Sequence, residues 1–239
     1  MAKKLLWILT PVIIISFVLG GYMFYNGVAD RTIRPNDFFS QFYPVKGIDI
    51  SHHQGRIDWE QLMAGINVDF VFIKATEGSD FSDTTFEYNW AEAAKYNVRR
   101  GAYHYFSTAS DGYSQARHFI ETVPDVEGGL PPAVDLEELD LTVDEFDREF
   151  QALLDELERH YGKPPIIYCV YSTYYKYLDG KYTDYPLWFR DVAIMPHYNL
   201  FRPWTFWQYS HDASVPGVGH IIDLNVFAGT PEQLEDICK

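Results

Sequence analysis

The stretch Leu130-Pro131-Pro132-Ala133-Val134-Asp135-Leu136-Glu137-Glu138 decides how the rest of the chain is read. It has the pattern of a buried strand that ends in acid. Side chains alternate faces along a strand, so Ala133, Asp135 and Glu137 share one face and Val134 and Leu136 the other. Two carboxyls thus project together from an apolar strand. Burying an unpaired carboxylate is costly, and two close together push one pKa up and the other down, as acid/base work on a glycosidic bond requires. A lone D-x-E triplet more often decorates a solvated strand end. Repetition argues otherwise here. Gly47-Ile48-Asp49-Ile50-Ser51 and His220-Ile221-Ile222-Asp223-Leu224-Asn225-Val226 carry aliphatic residues in one phase and an acid, amide or hydroxyl in the other.

Outward from these three strands, apolar runs at 69–74, 98–106, 165–170, 186–189 and 204–209 predict five more. Helices are predicted between the early ones. Asp58-Trp59-Glu60-Gln61 reads as a capping box for a short helix, and further helices are expected over 83–96 and 113–122. The clearest begins at Thr142, where Thr142 and Glu145 form a capping box. Apolar residues then recur at Phe146, Phe150, Leu153, Leu154, Leu157 and Tyr161, until Gly162 and Pro164 stop it. Alternating strands and helices predict a parallel sheet, and eight strands predict closure into an α/β, irregular TIM-like barrel. The later connections are too short for a helix each, so fewer than eight outer helices are expected. Asp49, Lys74, Tyr103, Glu137, Tyr168, Trp188, Gln208 and Asp223 then fall in or at the ends of strands that open on the barrel mouth.

At the amino terminus, Lys3 and Lys4 precede an uncharged run from Leu5 to Tyr25, close to the ~20 residues needed to cross a bilayer. The expected division is a cytoplasmic tail over 1–4, an uncleaved transmembrane anchor over 5–25, a tether over 26–44 and one catalytic domain over 45–239. A cleaved signal-like segment ending at Gly27-Val28-Ala29 is the less favoured reading, because the apolar run exceeds a signal core. The anchor would make a single-pass protein of a bacterial inner membrane, its domain on the periplasmic or extracytoplasmic side. Phe38, Phe39, Phe42 and Tyr43 argue that the later part of the tether packs on the domain. The net charge of −15 excludes nucleic acid as a partner, since phosphate contacts need Lys and Arg. A monomer is expected. Two cysteines, Cys169 and Cys238, leave a disulfide open. Neither they nor the eight histidines have metal-site spacing, so no metal or other cofactor is expected. There is no G-x-S-x-G elbow for an esterase or amidase.

Taken together, Gly47-Ile48-Asp49-Ile50-Ser51-His52-His53-Gln54-Gly55, Phe72-Ile73-Lys74-Ala75-Thr76-Glu77-Gly78, Gly101-Ala102-Tyr103-His104-Tyr105-Phe106, Pro132-Ala133-Val134-Asp135-Leu136-Glu137 and Trp207-Gln208-Tyr209-Ser210 resemble the family 25 glycoside hydrolases, the Chalaropsis-type lysozymes. The resemblance covers Val45 to about Gly229. It implies an N-acetylmuramidase that cleaves the β-1,4 bond between N-acetylmuramic acid and N-acetylglucosamine in peptidoglycan glycan strands. On it, Glu137 is the general acid, Asp135 its carboxylate partner, and Asp49 and Asp223 two further active-site acids. Lys74, Tyr103, Tyr168, Trp188 and Gln208 line the sugar groove. Retention of configuration is implied, while the attacking group stays open between Asp135, Asp49 and the substrate's own acetamido oxygen. Two departures are visible: His53 stands where an aromatic such as Trp is expected, and Phe189-Arg190 replaces a small apolar pair. The alternatives are a non-catalytic wall-binding module and a barrel glycosidase for another polysaccharide.

Overall fold

The structure is a computed structural model describing residues 2–30, 34–124, 128–137, 139–196 and 202–239, the side chains of 2–9, 12 and 29 excepted. Two helices come first, α1 (Ala2–Ala29) and α2 (Pro35–Ser40). The barrel follows as β1 (Lys46–Ile50), α3 (Trp59–Gly65), β2 (Phe70–Glu77), the short β3 (Phe81–Ser82), α4 (Phe86–Lys95), β4 (Arg99–Tyr105), α5 (Gly112–Thr122), β5 (Ala133–Leu136), α6 (Val143–Tyr161) and β6 (Ile166–Cys169). It ends with α7 (Tyr171–Thr173) running into a π-helical turn (Tyr174–Leu178), then β7 (Leu187–Arg190), β8 (Phe206–Ala213), β9 (Ile222–Phe227) and α8 (Pro231–Ile237). Helix α6 carries the capping box read from sequence, with Thr142 and Glu145 each bonding the other's backbone, and Gly162 closes it in the left-handed conformation at φ 68°.

Hydrogen bonding runs β1-β9-β8-β7-β6-β5-β4-β2, and β2 pairs with β1 to close the barrel. The expected all-parallel sheet needs one correction. β9 is antiparallel to both β8 and β1, because a short connection returns it from β8 as a hairpin. This reversal brings the start of β9, not its end, to the mouth, and Asp223 pairs directly with Asp49. Among the described residues no helix lies between β7 and β8, in line with fewer outer helices than strands.

Period-two alternation sorts side chains into two cores. Ile48, Val71, Ile73, Val134, Leu136, Ile167 and Phe189 face outward and pack under the helices. Phe70, Phe72, Trp188, Phe206 and Phe227 turn inward and fill the lower barrel, with Phe72 stacked on Trp188 at 4.4 Å. Glycine makes room for this aromatic floor: a Cβ on Gly47 would stand 2.4 Å from the Phe70 ring, and one on Gly101 2.7 Å from that of Phe72. Cys169 faces the outer core and Cys238 the inner one, and both are free thiols, which answers the open disulfide question.

The tether contains the missing outer cover of β8. Pro35 supplies the first turn of α2, where its absent N–H costs nothing. Asn36 and Ser40, one turn apart, are buried, while Phe38 and Phe42 face away. The Asn36 amide donates to the backbone carbonyls of Asp191 at 2.9 Å and Tyr209 at 3.1 Å. Behind it Tyr43 packs on Trp204, ring centroids 5.0 Å apart, and near Trp207 on the outer face of β8. The segment is part of the barrel wall.

The expected transmembrane anchor over 5–25 is corrected. Among the described residues no helix is long and apolar enough to cross a membrane. Helix α1 interrupts its aliphatic residues with Thr10-Pro11, Ser16, Gly20-Gly21 and Tyr22. The single-pass inner-membrane placement and the membrane as partner fall with it.

Replacing Asn36 by Ala is expected to lower unfolding stability by about 1–3 kcal/mol, the cost of stranding buried carbonyls. Urea denaturation measures this, and an unchanged midpoint would return the segment to the status of a passive tether.

Candidate active site

Above the aromatic floor the inward positions turn polar and line an open cleft of about 410 Å³. All nine residues selected from the sequence border it: Asp49, Lys74, Tyr103, Asp135, Glu137, Tyr168, Trp188, Gln208 and Asp223. Each arrives by the same logic. Asp49 lies two residues beyond Gly47 on β1, Lys74 two beyond Phe72 on β2, and Gln208 two beyond Phe206 on β8, so each polar group sits one tier above a floor position. Glu137 extends the inward phase of Ala133 and Asp135 one residue past the end of β5.

Asp49 is the most enclosed of the four acids lining the cleft, 6 % exposed. Its Oδ2 accepts from Gln208 Nε2 at 2.9 Å and from Asn225 Nδ2 at 2.6 Å. Asn225 in turn accepts from the Trp188 indole N–H at 2.8 Å, which fixes the orientation of its amide. The Tyr168 hydroxyl stands 3.0 Å from Gln208 Oε1 and 3.2 Å from Glu137 Oε1, and its single proton serves one of them at a time. A continuous polar chain therefore runs from Trp188 through Asn225, Asp49, Gln208 and Tyr168 to Glu137.

The electrostatics follow from enclosure. Burial pushes the Asp49 carboxyl up, opposed by the bonds from Asn225 and Gln208. Burial, then the charge of Asp49 beside it, pushes Asp223 up to about 9, so at neutral pH Asp223 holds the proton of a hydrogen bond between the two. Burial also raises Asp135 well above the carboxylate range, reinforced by the charges of Glu137 and Asp49 and opposed by Lys74 and Arg190. Asp135 Oδ1 is buried without a hydrogen-bond partner. Lys74 is engaged, its ammonium 2.7 Å from Glu77 and 4.8 Å above the Tyr105 ring. Burial drives the Tyr103 and Tyr168 phenols well above their ordinary value, so both remain donors. Cys169, also raised by burial, faces away from the cleft and is no thiolate nucleophile.

Sequence reasoning missed Asn225 as a site residue, although it lies two positions after Asp223 on the same inward phase. Tyr105, two after Tyr103, was legible by the same rule. Ser51, Gln54 and Ile221 also line the cleft from loops beside the strands, where periodicity gives no signal, and His211 lines it from β8. His53 and Arg190 both border it.

Residues 48–218 match the model of the glycosyl hydrolases family 25. The uncharacterized protein YegX of Escherichia coli is 38% identical over 204 residues, spanning 81% of this chain and 73% of its own length. A family 25 glycosyl hydrolase from Bacillus anthracis superposes with a TM-score of 0.77 at 39% identity, over 81% of this chain and 93% of that one. A bacterial lysozyme from Streptomyces coelicolor superposes with a TM-score of 0.73 at 28% identity, over 81% and 96% of the two chains.

The proton shared by Asp49 and Asp223 has a consequence for stability. A carboxyl whose pKa is raised by folding, here to about 9, stabilises the fold below its unfolded value and loses that contribution as pH rises toward the folded one. Asp223→Asn keeps a donor toward Asp49 and removes the titration. Between about pH 5 and pH 8 the unaltered protein is expected to lose more thermal stability than the variant. Parallel melting curves would place the proton elsewhere.

Proposed function

The chain belongs to family 25 of the glycosyl hydrolases, and from that premise we propose that it is a peptidoglycan muramidase, cleaving the β-1,4 bond between N-acetylmuramic acid and N-acetylglucosamine. The observation that carries the reading is the convergence of Asp49, Asp135, Glu137 and Asp223 in one open cleft above a sealed aromatic floor. The kinship with chains named as lysozymes supports it.

In this reading Glu137 gives its proton to the leaving oxygen as an oxocarbenium-like state develops, and afterwards takes one from water. Its setting suits both duties, because the Tyr168 hydroxyl reaches its Oε1 and the mouth admits water on its other side. Burial, reinforced by the charge of Glu137 beside it, raises the Asp135 carboxyl well above the carboxylate range.

The bonding divides the remaining acids by role. Asp49 is committed to Gln208, Asn225 and Asp223, and an attack by it on the sugar would break contacts that hold three strands together. Asp135 lines the cleft and makes no side-chain hydrogen bond with any described residue. It is therefore the group that engages the reacting sugar, either by orienting the acetamido N–H for internal attack or by bonding to the anomeric carbon itself. Asp49 and Asp223 act on it from behind, as a buried charge with one shared proton. Lys74, Tyr103, Tyr168, Trp188 and Gln208 form the walls along which the glycan lies.

A second assignment draws on the raised pKa of Asp135: the proton resides on Asp135, and Glu137 orients the substrate. The two are separable. With Glu137 as the acid, Glu137→Gln is expected to lower the rate of wall lysis by about 10²–10⁴-fold at an unchanged melting temperature. Digests analysed by mass spectrometry after borohydride reduction are expected to show reduced muramic acid ends. Substantial residual lysis by this variant, with Asp135→Asn inert, would transfer the acid role to Asp135, while reducing ends on glucosamine would end the muramidase reading.

A further inference from the structure

The cleft holds two cations in contrasting states. Lys74 is neutralised by Glu77 and covered by the Tyr105 ring. Arg190, at the end of β7, lines the same cleft two residues beyond Trp188. Its guanidinium acts through space on Asp135 and Asp223, yet it makes no hydrogen bond or ion pair with any described side chain. Five N–H donors in a planar fork are thus left for something that enters the cleft.

The backbone beneath this free head is held from several directions. The carbonyl of Asp191, the next residue, accepts from Asn36 Nδ2 at 2.9 Å and from the Trp207 indole N–H at 2.9 Å. The Asp191 carboxylate accepts from the Tyr171 hydroxyl at 2.9 Å and from the backbone N–H groups of Ala193 and Ile194 at 3.0 and 3.1 Å. Every polar group of Asp191 is engaged, whereas its cationic neighbour is not. Such a fixed base under an unengaged guanidinium limits the ordering needed when the fork closes on a ligand.

The fork matches a carboxylate in two parallel bonds, a geometry a lone ammonium does not offer. On the muramidase reading, on which this inference rests, the sugar in the cleft carries a lactyl ether. Its carboxyl is an amide while the stem peptide is attached and a free anion once the peptide is removed. We propose that Arg190 binds the free lactyl carboxylate of muramic acid, so that the cleft favours glycan strands stripped of their stem peptides.

The test is calorimetric titration of the full chain carrying Glu137→Gln, in which turnover is expected to be slowed about 10²–10⁴-fold, alone and combined with Arg190→Ala or Arg190→Lys. The probes are soluble glycan fragments in three forms: peptide-free with lactyl carboxylates, peptide-free with those carboxylates converted to methylamides, and peptide-bearing. The parent is expected to bind the free-carboxylate form about ten-fold tighter than the methylamide form, as a charge-assisted bidentate pair implies. The ratio is expected to fall to about one with Arg190→Ala and to be partly restored with Arg190→Lys, at matched melting temperatures. A parent that binds none of the fragments, one that does not discriminate, or an Arg190→Ala protein that discriminates equally, would overturn the proposal. So would an Arg190-dependent preference for peptide-bearing fragments. If the unaltered enzyme releases no reducing muramic acid while the titrations behave as expected, the carboxylate site stands and the muramidase reading fails alone.

Discussion

The constraint on which the structure depends is the burial of one carboxylate, Asp49, at the seam where the barrel closes. A buried charge is tolerated only when its oxygens are occupied by donors. Here the donors come from β8, through Gln208, and from β9, through Asn225 and the protonated Asp223. β1, β8 and β9 are the strands at which the parallel run ends and the antiparallel return begins. Satisfying Asp49 therefore fixes the register of the seam. Because Asn225 is itself held by Trp188 and Gln208 faces Tyr168, the same bonds set the orientation of groups on β7 and β6 and reach Glu137 beyond β5.

Much of this was legible in the sequence wherever a single rule, inward and outward alternation, was enough. It places Ala133, Asp135 and Glu137 on one face of their strand, and Thr142 with Glu145 announces the longest helix of the barrel. Asn225 obeyed the rule and was still overlooked, since an amide beside two acids carries no chemical signature of its own. What alternation cannot encode is strand direction. Nothing within Ile222–Phe227 distinguishes a parallel strand from the returning arm of a hairpin, and the brevity of the preceding connection was the only cue. Helix α2 escaped notice for another reason. At six residues it is too short for periodicity, and its stability comes from Asn36 reaching β8 and the Asp191 loop, contacts 155 and 173 positions away in the chain.

Helix α2 also resolves a difficulty of the incomplete barrel. A strand without an outer helix leaves its apolar outer face uncovered, and β8 presents Trp207 there. The segment before the first strand covers it, placing Asn36 against the carbonyls of Asp191 and Tyr209 and Tyr43 against the two tryptophans. Since Asp191 directly follows Arg190, cover for the outer face also holds the rim of the cleft. Stability and the shape of the site share these bonds.

The aromatic floor joins the two halves of the argument. Phe70, Phe72, Trp188 and Phe206 are ordinary core residues by burial, packed edge to face and stacked at centroid distances from 4.4 to 5.8 Å. By sealing the barrel from below they leave the acids of the next tier with solvent on one side alone, and burial is the largest cause of the raised pKa of Asp49, Asp135 and Asp223 alike. The glycines that admit the rings, Gly47 and Gly101, are in this sense part of the acid chemistry. A residue with a Cβ at either position would push a ring out of the floor and admit water beneath the carboxyls. The pKa shifts would shrink before the barrel itself came apart, because desolvation depends on a complete seal whereas strand pairing does not.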